Sequence, residues 1–179
     1  TRLYEYGPWS NDFIKEKLTG EKGCVGGQGE AFIDYIVAEL KPYVDQNYRT
    51  LQEDTAMMGS SMGGLITTYA ACKYPTMFRK VACLSSAFWF NQEEIIKYIT
   101  ASDLSSIDRF YMEVGTAEDT GRISSQTYLD CNDVVQQVLR TKVTNFNYNI
   151  IEGGTHHEKA WGKRLPAIFS YLYGASDTV

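Results

Sequence analysis

The chain has 179 residues, of which 44% are hydrophobic and 13% aromatic, enough for the core of one globular domain. Its net charge is −5 and its 17 basic residues are scattered, so no basic stripe could follow a nucleic-acid backbone. No apolar run approaches the roughly 18 residues of a membrane span. We expect a soluble cytoplasmic protein whose partner is a small molecule, with no nucleic-acid or membrane partner. The sequence does not predict the oligomeric state.

The predicted elements alternate between strand and helix. Residues 1–30, rich in glycine and aromatic side chains, are predicted to form a surface loop, and 30–48 an amphipathic helix bent at Pro42. Strands are predicted over 55–58, 79–84, 109–114 and 146–151, and helices over 63–74, 92–99, 124–142 and 161–173. This alternation is typical of the α/β class, with a mainly parallel sheet covered by helices on both faces.

The four cysteines are Cys24, Cys72, Cys83 and Cys131. Because none forms a Cys-x-x-Cys pair, they indicate neither a zinc site nor a thioredoxin-type redox site. We predict buried free thiols, with a disulfide between two of them left open. The chain starts with neither Met nor a signal peptide, so we expect it to be part of a longer protein.

Residues 59–63 match the Gly-x-Ser-x-Gly pattern of a nucleophile elbow, with Ser61 at its centre. The segment lies between a predicted strand and a predicted helix, as this motif requires. The glycines fit because neighbouring side chains would crowd a strained Ser61, and Gly64 would let the helix pack close to the sheet. The alternative is an ordinary glycine turn that leads into a helix.

A serine hydroxyl needs a base to remove its proton, and α/β hydrolases supply the partners in the order Ser, acid, His. The chain has two histidines, His156 and His157, both in the predicted loop before the last helix. A metal site that includes Glu158 is the alternative, but adjacent histidines cannot share one helical face. We predict no metal and no cofactor. Two carboxylates after the preceding strand, Glu118 and Asp119, compete for the role of the acid.

Three ordered segments, 58–64, 115–118 and 153–161, resemble the putative-esterase family of α/β hydrolases. That family includes feruloyl and acetylxylan esterases, enterochelin-type siderophore esterases, esterase D and the mycolyltransferases. The resemblance implies that Glu118 is the acid and His156 the base, with Asp119 as the rival acid. It makes Glu158 and Trp161 supporting residues.

The resemblance also implies an α/β-hydrolase fold whose N-terminal strands are missing, with 1–179 as the C-terminal catalytic portion of a single domain. Family members have several strands and an oxyanion-hole loop before the equivalent of Arg2. The backbone N–H of Met62 is then one oxyanion donor, and the second lies outside this sequence. Since loss of one donor costs about 10²- to 10³-fold in rate, this segment alone is expected to be a poor enzyme.

The expected function is a serine esterase that hydrolyses a carboxylic ester, either a carbohydrate-linked acyl ester or a siderophore ester. The alternatives are acyl transfer to a sugar by the same acyl-enzyme and a catalytically silent binding domain. Several aromatic residues are candidates for binding an aromatic or sugar-bearing acyl group, and the alternative is that they pack in the core. These residues are Tyr6, Trp9, Phe88, Trp89, Phe90 and Trp161.

Overall fold

A four-stranded parallel sheet with the sequential order β1-β2-β3-β4 forms the centre of the fold. The computed structural model describes residues 2–174, apart from the side chains of Leu18 and Thr19. The strands are β1 Thr55–Ser60, β2 Phe78–Leu84, β3 Arg109–Ala117 and β4 Phe146–Thr155. Because the strands are parallel, all four carboxyl ends lie at the same edge of the sheet. Within the described residues β1 pairs with β2 alone, so its other edge carries no neighbouring strand.

Helices precede, connect and follow these strands. Their bounds are α1 Arg2–Glu5, α2 Asp12–Thr19, α3 Gly29–Tyr35, α4 Lys41–Asn47, α5 Met62–Lys73, α6 Gln92–Ala101, α7 Ser125–Arg140, α8 Glu158–Gly162 and α9 Leu165–Tyr173. A π-helical stretch, Ile36–Leu40, joins α3 to α4, and a 3₁₀ turn, Phe88–Phe90, precedes α6. None of the described helices is long and apolar enough to cross a membrane.

Helices cover both faces of the sheet, as the α/β pattern predicts. Val81 and Cys83 of β2 pack into a large core with α5, α6 and α7. The alternate residues of the same strand, Ala82 and Leu84, pack into a smaller core with α8 and α9. This division follows from the strand period of two, which sends successive side chains to opposite faces. Strands buried on both faces explain the continuous apolar run of β2.

The surface loop predicted for residues 1–30 is wrong in part, because this segment contains α1 and α2. The side chain of Asn11 caps α2 by accepting a hydrogen bond from the N–H of Ile14. Gly20 ends the helix in the left-handed region, with φ 74°. The buried side chain of Ile14 packs in the core and anchors this short helix. A helix of two turns gives too few apolar repeats for its period to be recognised.

The helix predicted over 30–48 is present but changes type instead of simply bending. Pro42 has no N–H with which to bond the carbonyl of the preceding turn. Immediately before it, the N–H of Lys41 bonds to the carbonyl of Ile36, five residues back, as in a π-helix. At the other end of the chain, the single helix predicted over 161–173 is two helices, and Pro166 lies in the first turn of α9.

All four cysteines are free thiols, so the disulfide left open by the sequence is absent. Cys72 and Cys83 are buried as predicted, whereas Cys24 is exposed and Cys131 is half-buried. Burial raises the pKa of the Cys72 and Cys83 thiols to about 12. These two thiols are therefore protonated at neutral pH and behave as small apolar core residues.

Candidate active site

Residues from four distant parts of the chain meet at the carboxyl edge of the sheet. Ser61 follows β1, Ser85 follows β2, Glu118 follows β3 and His156 follows β4. The parallel topology alone brings these strand ends together, although Ser61 and His156 are 95 residues apart. In open α/β sheets this edge is where ligands bind.

The backbone of Ser61 has the strained conformation of a nucleophile elbow. Its φ is 57° and its ψ −123°, a region that residues other than glycine rarely adopt. Such a conformation costs about 1–3 kcal/mol and needs support from its surroundings. The N–H of Ser61 donates to the carbonyl of Leu84 at 2.9 Å, and its own carbonyl accepts from Ala87 at 3.0 Å. The end of β2 and the loop that follows it therefore hold the turn.

The glycines of this motif have different roles. A Cβ atom at Gly59 would lie 2.2 Å from the carbonyl oxygen of Gly63, so only glycine fits there. A Cβ atom at Gly63 would meet no atom within 4 Å, and no protein atom accounts for that glycine. At Gly64 the Cβ atom would lie 2.1 Å from the hydroxyl oxygen of Ser86. Gly64 thus lets α5 pack against the loop after β2.

A chain of hydrogen bonds links Ser61, His156 and Glu118. His156 Nε2 lies 2.9 Å from Ser61 Oγ, and His156 Nδ1 lies 2.5 Å from Glu118 Oε2. With a proton on Nδ1, the imidazole donates to the carboxylate and accepts from the serine hydroxyl. Glu118 is fully buried. The contact that the sequence predicts between Glu118 and His156 is present.

The carboxylate of Glu118 is held by two further donors. Its Oε1 accepts from Ser85 Oγ at 2.5 Å and from the N–H of Gly115 at 2.7 Å. Ser85 Oγ in turn accepts from the indole N–H of Trp161 at 2.9 Å. Both carboxylate oxygens are therefore occupied, and Glu118 has one orientation available. Ser85 was not predicted as a site residue, although its place directly after the strand next to β1 was a usable signal.

An ion pair between Glu113 of β3 and Arg164 fixes the segment that carries Trp161. Glu113 is fully buried, and its Oε1 accepts from Arg164 Nε at 2.8 Å. The hydroxyl of Tyr111 donates to the other carboxylate oxygen at 2.7 Å. Because a buried charge needs such partners, Arg164 ties the segment between α8 and α9 to the sheet.

The rival residues lie outside this chain of hydrogen bonds. Asp119 is exposed, and its carboxylate accepts from the N–H of Gly121 at 2.7 Å. His157 is exposed and caps α8 by accepting from the N–H of Lys159. Glu158 is also exposed, and its carboxylate lies 3.7 Å from His157 Nδ1. No group of three or more metal-ligating side chains occurs among residues 2–174.

The aromatic candidates for substrate binding have different positions. The Trp161 ring packs edge-on against His156, with ring centroids 5.0 Å apart. The Tyr6 ring is tilted by 40° against that of Phe32 and lines a hollow of about 390 Å³ that reaches Gly59 and Ser60. Trp9 packs in an aromatic cluster with Tyr69 and Tyr98, the environment expected of a core residue.

Phe88 and Phe90 are fully buried in the main core, so they cannot line a substrate site. Trp89, between them, is half-buried and faces the ring of Tyr128 at 6.2 Å. Tyr128 lies within the helix predicted over 124–142 and was not a predicted site residue. In the structure its hydroxyl lies 3.5 Å from His156 Nε2.

In an assay of the esterase activity expected from the sequence, Glu118→Gln should lower kcat/KM by about 10⁴-fold, because an amide in place of this acid leaves the histidine in the wrong tautomer. The matched change Asp119→Asn removes only a cap on an exposed turn and is expected to leave kcat/KM within about twofold of wild type. Steady-state kinetics of both variants compare the two acids directly. Equal losses, or a larger loss for Asp119→Asn, would contradict the geometry.

Comparison with known proteins identifies relatives that agree with one another. The model of the family described as "Putative esterase" matches residues 5–172. The uncharacterized protein YbbA of Bacillus subtilis (strain 168) is 30% identical over 180 residues, which cover 97% of this chain and 70% of YbbA. The IroE-like serine hydrolase from Shewanella oneidensis superposes with a TM-score of 0.75 at 19% identity, over 96% of this chain and 55% of that one.

The siderophore hydrolase EstB from Aspergillus nidulans superposes with a TM-score of 0.66 at 17% identity, over 96% of this chain and 64% of its own. At such identities these two structures show a shared fold, which is that of the α/β hydrolases. The chain spans a little over half the length of the Shewanella protein. The expected α/β-hydrolase fold is therefore confirmed, in a chain shorter than those it matches.

Proposed function

This chain belongs to the putative-esterase family, and on that premise we propose that it hydrolyses a carboxylic ester through an acyl-enzyme formed on Ser61. The observation that carries the proposal is the hydrogen-bonded series from Glu118 through His156 to Ser61 at the carboxyl edge of the sheet. Its order along the chain, Ser, acid, His, is that of the α/β hydrolases. We further propose that residues 1–179 are the catalytic portion of one such domain.

In acylation, Ser61 Oγ attacks the ester carbonyl carbon while His156 Nε2 takes the hydroxyl proton. The carboxylate of Glu118 stabilises the imidazolium that forms and keeps its ring oriented. Met62 begins α5, so its N–H is among the helix N–H groups that lack an intrahelical partner. It can therefore donate to the developing oxyanion, with the dipole of α5 in support.

The intermediate then collapses as His156 returns the proton to the leaving oxygen, and the alcohol departs. Water enters at the vacated position and gives a proton to His156 Nε2 as its oxygen attacks the acyl carbon. The second intermediate breaks the bond to Ser61 Oγ, which regains its proton from His156 and releases the acid. Ser61, His156 and Glu118 thus return to their starting states without a cofactor.

For the substrate, we propose a siderophore ester or a carbohydrate-linked acyl ester. The siderophore hydrolase EstB, which has the same fold, supports this proposal. The hollow lined by Tyr6 and Arg2 beside Gly59 gives such a substrate an aromatic wall and a cation near the elbow. Hydrolysis of a catecholate siderophore ester, a feruloyl sugar ester and an acetylated xylan would rank the two substrate classes.

A fluorophosphonate probe tests the nucleophile independently of the substrate, because it reacts covalently with activated serines. After labelling and proteolysis, mass spectrometry is expected to find the adduct on the peptide that contains Ser61. Ser61→Ala should abolish labelling, and Ser60→Ala, which changes the neighbouring hydroxyl, should retain it. Absence of labelling in the wild-type protein, or an adduct on another serine, would refute the proposed mechanism.

A further inference from the structure

A buried tyrosine hydroxyl lies beside the reacting groups and takes no part in the steps described above. Tyr128 lies on the first turn of α7 and is 2% exposed. Its hydroxyl oxygen is 3.5 Å from His156 Nε2, the atom that takes and returns the proton. A polar group buried at this point affects the reaction directly if it contacts the substrate.

The tyrosine ring is held on both sides. Its centroid lies 4.5 Å from that of the His156 ring, and the ring of Trp89 meets it edge-on at 90°. On the backbone, Asn132 Nδ2 donates to the carbonyls of Tyr128, at 2.8 Å, and Ser86, at 2.9 Å. These contacts connect the start of α7 to the loop after β2. The hydroxyl therefore has a fixed position relative to Ser61 and His156.

The Tyr128 hydroxyl is a donor at neutral pH. Burial raises its pKa above the usual value for tyrosine, and the Trp89 indole N–H and the Ser61 hydroxyl only partly oppose this effect. The Trp89 N–H is buried and has no hydrogen-bond partner among the described residues. The two side chains contact each other through the edge-on packing of their rings, with centroids 6.2 Å apart. The hydroxyl of Tyr128 lies beside His156 Nε2, from where its hydrogen can point toward a substrate oxygen.

The side from which Tyr128 approaches the site identifies the substrate oxygen that its hydroxyl meets. The Met62 N–H that serves the oxyanion belongs to α5, directly after the edge strand β1. Tyr128 belongs to α7, between β3 and β4, and approaches from the side that carries His156. The leaving oxygen must also lie on that side, because it receives its proton from His156 Nε2. A donor near Nε2 therefore meets the leaving oxygen rather than the oxyanion.

We propose that Tyr128 is a further catalytic residue, which donates a hydrogen bond to the leaving-group oxygen of the ester. This inference rests on the serine-esterase reaction proposed above. When the tetrahedral intermediate collapses, the bond between carbon and leaving oxygen breaks and its electron pair goes to that oxygen. The proton comes from His156 Nε2. Tyr128 keeps its own proton and stabilises the negative charge that develops before this transfer. In deacylation the attacking water occupies the same position.

The test compares two esters that share one acyl group but differ in the alcohol. An alkyl alkoxide is a poor leaving group that needs this hydrogen bond, whereas p-nitrophenolate is stable as a free anion. Tyr128→Phe keeps the ring and removes the hydroxyl. We expect kcat/KM for the ethyl ester to fall about 10- to 100-fold, the scale of a hydrogen bond to a charged group. For the p-nitrophenyl ester we expect a change below about twofold.

A control variant sharpens the comparison. Tyr148→Phe removes a buried hydroxyl from β4 that has no partner among the described residues, and both esters are expected to react as with wild type.

Equal losses on both esters would overturn the proposal, because the hydroxyl would then act by positioning His156. No loss on either ester would overturn it as well. The wild-type protein provides the separate check on the underlying mechanism. If it hydrolyses neither ester and Ser61 is not labelled, the serine-esterase proposal itself fails. If wild type is active and labelled at Ser61 while Tyr128→Phe shows no selectivity, only the assignment of Tyr128 fails.

Discussion

Replacement of Ser61 by Ala is expected to lower kcat for ester hydrolysis by about 10⁴- to 10⁶-fold, the range for loss of a catalytic serine. The reason is that no other hydroxyl in the described chain has the same contact with His156 Nε2 at 2.9 Å. The folded state should change little. The variant keeps the backbone bonds to Leu84 and Ala87 and loses one side-chain hydrogen bond, worth about 0.5–1.5 kcal/mol.

Steady-state kinetics and denaturant unfolding of the same preparations separate the two effects. Ser60→Ala is the matched control, since it removes the neighbouring hydroxyl from the end of β1 and leaves the hydrogen-bonded series intact. The control is expected to keep activity within about threefold of wild type. Activity of Ser61→Ala within about tenfold of wild type would show that Ser61 is not the nucleophile.

His156→Ala is expected to be as damaging as Ser61→Ala, at about 10⁴- to 10⁶-fold in kcat, because the serine loses its base. The double variant should be no worse than either single variant, since the two residues act as one unit. His157→Ala is the matched control in the same segment. It removes an exposed cap of α8, which costs about 0.5–2 kcal/mol of stability and leaves the site in place.

The measurement is the ratio of kcat values for the two histidine variants, with folding verified by circular dichroism. A larger loss for His157→Ala would assign the base to the exposed histidine, against its position. Equal and large losses would indicate that the segment after β4 fails to fold in either variant. Addition of imidazole distinguishes these cases, because a folded His156→Ala protein has space at the site for a small base.

The geometry of the site depends on residues that hold the reacting side chains in place. Glu118 holds the histidine, Ser85 and Gly115 hold Glu118, and Trp161 holds Ser85. Such support is expected because a catalytic group must keep its geometry to within a fraction of an ångström. These supporting groups come from the ends of β2 and β3 and from α8. The four-stranded sheet is therefore the scaffold that positions every member.

Much of the fold could be predicted because its signals are local. Apolar residues at helical spacing predicted the helices of the second half, and the strand at 79–84 followed from a short apolar run. The elbow at 59–63 was recognisable because the turn itself requires glycine at Gly59. Only two histidines occur, so the choice of His156 needed one family pattern.

Other local features carried too weak a signal. The helix α2, which Ile14 anchors to the core, has two turns, too few for a hydrophobic period to emerge. The ends of β3 and β4 contain Gly115 and Gly154, and glycine weakens a strand prediction. These two glycines are there because the strands approach closely, with a Cβ atom at Gly115 only 2.1 Å from the carbonyl oxygen of Gly154.

Local sequence patterns therefore predicted the α/β class and Ser61 as the nucleophile, because hydrophobic periodicity and turn chemistry depend on residues close in sequence. The choice of His156 as the base and Glu118 as the acid came from the family resemblance. Three contacts are visible only in the folded chain: Ser85 holds Glu118, Tyr128 reaches His156, and Trp9 packs with Tyr69 and Tyr98. Each of these contacts joins elements that are distant in sequence. They depend on strand register and helix packing, which fix side-chain positions to within an ångström and leave no local pattern in the chain.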